Sequence, residues 1–229
     1  MSTFRSTGIP EIEGLKEYID SIAGKFCPFI RPSTRAQSMR TSVYELSGVG
    51  DRVELSMFYL GLLHTEILRR TRFQAPPRRA VLACENLIFR FDGEDQVDGE
   101  SLFAWPHWLL KTRYTNVGVM FGKFWLGEEA DSRLGQPIPA PPYHILSIRS
   151  AVIKRDPQFF HKAPGLLGDL LTSDDDGRDI MGLNELPVAL PESEWTATMV
   201  QEASQSLLTS GFYETMKEQA AKELKPAHD

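Results

Sequence analysis

The sequence predicts a mixed α/β fold: a single β-sheet of about four strands flanked by helices, with a further helix at the C-terminal end. Three observations carry this expectation. Stretches with strand character alternate with stretches of helical periodicity, the order of a sheet covered by helices. The loop joining the last two strands is too short for a helical crossover, so those two read as an antiparallel pair and the sheet as mixed. The composition, 41% hydrophobic and 24% charged over 229 residues, is that of a chain able to bury a core of its own.

The elements follow in order. Residues 10–25 read as an amphipathic helix, with Pro10 at its first position, Glu11 and Glu13 in its first turn, and Ile12, Leu15, Ile19 and Ile22 on one face. The segment Phe26-Cys27-Pro28-Phe29-Ile30-Arg31-Pro32 holds two prolines and predicts an extended or turning course. Residues 40–46 read as a strand through Val43, Tyr44 and Leu46, and 47–50 as a turn. A long helix begins at Asp51, and its broad apolar set (Val53, Leu55, Phe58, Leu62, Leu63, Ile67) implies burial on more than one side. Residues 80–84 and 87–91 are nearly continuous in apolar content, as a central strand should be.

An acidic loop over 92–99 leads to a helix over 100–112, in which Pro106 predicts a kink or a split. Residues 117–125 form the next strand, a proline-rich loop follows, and 143–148 form the last strand. Another helix starts at Asp156-Pro157 and extends to about 171. Residues 173–193 are loop-like. Their Asp174-Asp175-Asp176-Gly177 run lacks the alternating spacing and closing glutamate of a calcium loop and reads as a solvated turn. Residues 192–224 are helical by pattern, with Trp195, Met199, Leu207 and Phe212 placed to dock on the body. The expected organisation is an α/β core over 1–172 and a loop plus C-terminal helix over 173–229, packed as one domain.

A net charge of −6 argues against a nucleic-acid partner. The nearest basic cluster, Arg69, Arg70, Arg72, Arg78 and Arg79, brackets Ala75-Pro76-Pro77 and reads as the basic end of a helix with its loop. No stretch has the length of a membrane span. Two cysteines without zinc spacing, and a polar first ten residues, suggest a cytoplasmic protein with reduced thiols.

Several residues invite chemistry. Cys27 is read as a catalytic thiolate, a cofactor ligand, or a small buried residue between Phe26 and Phe29. His107, between Trp105 and Trp108, is read as the residue that binds a cofactor, with Trp105 lining a planar ligand, or as a half-buried ring on a helix. On the last strand His144 shares a face with Leu146 and Ile148, while Arg149 shares the other with Ile145 and Ser147. Arg149 suits either a substrate carboxylate or a structural carboxylate, with Asp131 and Arg133 as partners or fellow ligands. Asp131 and His144 are the acid–base candidates. No metal set is expected.

Taken together, Cys27-Pro28-Phe29, Gly118-Val119-Met120-Phe121-Gly122-Lys123-Phe124, the proline-rich loop, and Pro142 to Arg149 with Asp156 beyond resemble a bacterial and fungal domain family of unassigned role found near biosynthetic genes. More distantly they resemble the YqcI/YcgG family, over roughly residues 12–165. Some members of that family are heme-dependent N-oxygenases of amino acids, so the resemblance implies an oxidoreductase of specialised metabolism with heme as its cofactor. Trp125-Leu126 stands where that family's strand runs into a His-Pro pair, which leaves His107, His144 and Cys27 as the residues that could serve iron here.

Three functions are therefore expected as alternatives. The first is a small-molecule enzyme of secondary-metabolite biosynthesis, oxygenase-like, on an amino-acid-derived substrate. The second is a cofactor-free cyclase, isomerase or dehydratase. The third is a non-catalytic accessory protein docking through its C-terminal helix. The partners expected are a small-molecule substrate and either a second copy or a pathway enzyme.

Overall fold

A parallel strand pair needs a long crossover, and the chain supplies one between two of its central strands. The computed structural model describes residues 3–7, 9–46, 51–91, 98–132, 134–161, 163–178, 180 and 211–224. Strand β2 (Met39–Leu46) lies parallel to β3 (Cys84–Phe91), and the connection between them carries α3 (Asp51–Gln74) and the short α4 (Pro77–Ala80). From β3 the chain passes through α5 (Gly99–Tyr114) to β4 (Val119–Phe124) at the sheet edge. The hairpin β5 (Ala130–Asp131) and β6 (Pro137–Ile138) then precedes β7 (His144–Ser150), which returns antiparallel between β3 and β4.

The central sheet has the order β1-β2-β3-β7-β4, with β1 (Thr3–Thr7) antiparallel to β2 at the other edge. The mixed sheet flanked by helices, and its antiparallel last pair, match the expectation. The added fifth strand is β1.

Side-chain alternation gives the sheet two unlike faces. One is covered by α3 and α5, where Tyr44, Leu87, Phe89, Phe121, Leu146 and Ile148 join the helix core. The other carries α1 (Leu15–Ala23), whose Leu15, Tyr18 and Ile22 bury Val43, Ile88 and Ile145. Near β4, Met120 joins Phe160 and the helix α6 (Gly165–Leu171) in a third cluster. The terminal helix α7 (Phe212–Leu224) docks on α3 and α5. Trp108 Nε1 donates to the Ala220 carbonyl at 3.2 Å, the Tyr213 hydroxyl donates to Glu54 at 3.2 Å, and Tyr213, Met216 and Ala220 are buried.

Four expectations are corrected. The segment of two prolines does not stay extended: α2 (Ile30–Arg35) forms with Pro32 in its first turn, where a missing N–H breaks no helical hydrogen bond. Pro106 does not split its helix, which runs unbroken over Gly99–Tyr114 because Leu102, Phe103, Leu109 and Leu110 are buried on both sides of it. Residues 80–83 precede the strand, since Pro77 starts α4 there. The helix expected from Asp156 is a 3-10 turn, Asp156–Phe159, with α6 starting separately. Of the terminal helix expected over 192–224, the part before 211, with Trp195, Met199 and Leu207, lies outside the described residues.

The acidic run after α6 is also more than a solvated turn. Asp175 accepts from Arg69 at 2.7 Å and pairs with Arg72, which also donates to the Val117 and Gly118 carbonyls at 2.9 Å. Arg69 is only 3% exposed and takes Glu66 as a second partner at 2.9 Å. The basic end of α3 is thus a clamp on the segment after α6.

Candidate functional site

On the α1 face the sheet presents three cross-strand rows. The row Val43–Ile88–Ile145–Phe124 lies under α1, and its first three members are buried. The next row along the strands is Thr41–Asn86–Ser147–Gly122, and the third is Met39–Cys84–Arg149–Met120. Asn86, Ser147, Gly122, Cys84 and Arg149 are all partly exposed, although four of the five stand on the two strands in the middle of the sheet. Central strand positions facing a layer of helices are ordinarily covered and apolar. Here they form a polar strip that is only partly covered.

The strip has its own hydrogen-bond pattern. Cys84 Sγ lies 3.6 Å from Asn86 Oδ1 and 3.7 Å from Ser147 Oγ, and the Asn86 amide donates to the Arg40 carbonyl at 3.5 Å. These contacts are long, and an amide and a hydroxyl offer more donors and acceptors than they use. Phe124 folds over the strip on one side: a Cβ on Gly122 would meet its ring at 3.1 Å. On the other side Arg149 stacks on Phe29, its guanidinium carbon 4.1 Å from the ring centre.

Arg149 is held by a bidentate ion pair, with Nη atoms 2.7 and 2.8 Å from the two Asp156 oxygens, and it also donates to the Ser150 carbonyl at 3.0 Å. Asp156 is fully buried and also accepts from the Val152 N–H at 2.6 Å. The arginine therefore has its carboxylate within the chain, and that carboxylate is Asp156 rather than Asp131. Cys27, in the turn between α1 and α2 that also carries Phe29, is a free, partly exposed thiol. Burial pushes the Cys84 thiol up to about 12, so Cys84 is a neutral hydrogen-bonding group at neutral pH.

The other candidates do not gather here. His144 points to the opposite face and stands five residues from Arg149 along β7, about 17 Å at strand rise. It is 6% exposed, edge-on to Phe91 at 5.3 Å and near Phe103 at 6.3 Å, and its Nδ1 has no partner among the described residues. Burial lowers its pKa. Helix α5 presses on it: a Cβ on Gly99 would stand 2.9 Å from His144 Cε1 and 2.2 Å from Trp125 Cβ. His107 lies between α5 and the edge strand, where Nε2 meets the Phe121 carbonyl at 3.2 Å, and burial pushes its pKa down to about 4. Trp105 packs beneath α7 with Lys217 over its ring at 5.7 Å. Asp131 is exposed on the β5–β6 hairpin, and Arg133 lies outside the described residues.

The two histidines do not fit a heme. An axial ligand needs a free nitrogen on an open face. The Nε2 of His107 is engaged by a backbone carbonyl, and His144 is packed against Phe91, Phe103 and the backbone at Gly99.

Asn86, Ser147 and Gly122 escape a reading by motif, yet they leave a trace. Asn86 interrupts the apolar run of β3, Ser147 interrupts that of β7, and one register places them side by side. The same trace marks a second polar set on the α3 face. Glu85, 2% exposed, lies 3.2 Å from His64 Nδ1, and His64 Nε2 lies 2.5 Å from the Tyr44 hydroxyl. With Arg40 3.7 Å from Glu85, this chain ties α3 to β2 and β3. His64 is fully buried, so the set reads as a polar lock in the core.

No family model, no curated protein and no solved structure matches this chain.

Proposed function

We propose that this chain is a small-molecule enzyme whose substrate lies on the polar strip between Phe29 and Phe124. On this reading Cys27 is the group that takes or gives the proton, in a cofactor-free cyclase, isomerase or dehydratase. The observation that carries the reading is the partial exposure of Asn86, Ser147 and Gly122 on strands whose neighbouring row is buried under α1. Such a floor orients a substrate by hydrogen bonds while its aromatic walls bury the rest. Cys27, the free thiol two residues before Phe29, is the reactive group, and the pair of Arg149 with Asp156 holds the Phe29 wall. The expected oxygenase chemistry finds no support in the surroundings of His107 and His144. The accessory-protein reading expects the C-terminal stretch over 192–224 to dock a partner, whereas its described part, α7, packs on Trp105, Trp108 and Glu54 of the same chain.

Chloroacetamide fragments, followed by intact-mass and peptide mapping, test the reading. A polar aromatic fragment should label Cys27 about tenfold faster than chloroacetamide itself, and the Asn86→Leu/Ser147→Val variant should remove that advantage. Equal rates for all reagents, or an advantage that survives the double substitution, would contradict the site.

A further inference from the structure

We infer that the strip takes neutral, planar ligands with an amide-like edge of donor and acceptor, and disfavours carboxylates. The inference rests on the site proposed above and names the class of its substrate.

Charge decides the first half. Arg149 is the cation of the strip, and an arginine on a ligand-facing strand ordinarily announces a carboxylate or phosphate. Here both Nη atoms are engaged by Asp156, and one of them also by the Ser150 carbonyl. An incoming carboxylate would have to displace a fully buried one that also holds the Val152 N–H. Removing that partner leaves a buried charge unmatched. The remaining floor groups, the Asn86 amide, the Ser147 hydroxyl and the Cys84 thiol raised to about 12, are uncharged at neutral pH. An anion on this floor gives up its water for neutral partners alone, whereas an amide exchanges its hydrogen bonds nearly one for one.

Shape decides the second half. Rows on one face are about 7 Å apart along the strands. The polar row is bracketed by the Phe124 ring, lying over Gly122, and by the stack of Arg149 on Phe29. A flat ligand lies between two flat walls with its polar edge on Asn86 and Ser147. Both of these residues donate and accept, so the complementary edge is one that does both, as a primary amide does.

Titration of the isotope-labelled protein with benzamide and with benzoate at pH 7, read at individual amides, tests the inference. Benzamide should shift the backbone amides of Cys84, Asn86, Gly122 and Ser147 and the Asn86 side-chain amide, and benzoate should bind there at least tenfold more weakly. In Asp156→Asn, where Arg149 loses its carboxylate, benzoate should gain at least tenfold relative to benzamide. If benzoate binds the unsubstituted strip as tightly as benzamide, the ligand class is wrong and the site stands. If neither probe moves these amides, the site itself falls.

Discussion

His107 shows how a residue suited to chemistry becomes structural. Its Nε2 meets the Phe121 carbonyl on the sheet's edge strand, and burial holds the ring neutral with a pKa of about 4. The unfolded ring takes its proton near 6.5, so below that pH the unfolded chain binds more protons than the folded one. Its contribution to stability is complete above pH 6.5 and is lost as pH falls toward 4. His144, also lowered by burial, acts in the same direction. Urea midpoints should therefore drop between pH 7 and pH 5, and His107→Gln, which keeps a donor for the carbonyl, should lessen the drop. An identical drop in the variant would show that the ring is not the group responsible. A histidine flanked by two tryptophans reads as a ligand site in the sequence, because the carbonyl that occupies it comes from a strand fourteen residues on. Arg149 was legible only to the point of needing a carboxylate. Asp156 was in plain view seven residues away, but its burial depends on the turn after β7.

At the scale of elements, α5 holds the molecule together, with the sheet on one side and α7 on the other. Its first residue has no room for a side chain: a Cβ on Gly99 would meet Trp125 Cβ at 2.2 Å. Gly99→Ala gains at most about 1 kcal/mol in helix propensity but forces an overpacking that costs about 1–3 kcal/mol. The variant should unfold at lower denaturant concentration, and a gain in stability would mean that α5 can shift along the sheet. Periodicity revealed α3, α5 and the strands β2, β4 and β7, because each carries its own apolar pattern. It could not reveal β1, whose Thr-Phe-Arg-Ser-Thr has little apolar character and is defined by its pairing with β2, more than thirty positions later. Nor could it reveal α2, since the tolerance of Pro32 depends on where the helix starts.

For the molecule as a whole, the two faces of the sheet divide the work. The α3–α5 face is the larger core, locked by the buried chain Tyr44–His64–Glu85. The α1 face is covered over one row and left partly open over the polar row beside it. Sequence alone showed the alternation that makes two faces, and it assigned candidates to both. It could not show that the open rows belong to Asn86, Ser147 and Arg149, because exposure there is set by where α1 stops and α2 begins. The central claim is that this open row is the functional surface. A crystallographic screen of small polar aromatic fragments tests it most directly. The account predicts fragments bound against Asn86 and Ser147 between the rings of Phe29 and Phe124. Fragments that leave this strip empty and collect around His144 at the opposite end of β7 would contradict it.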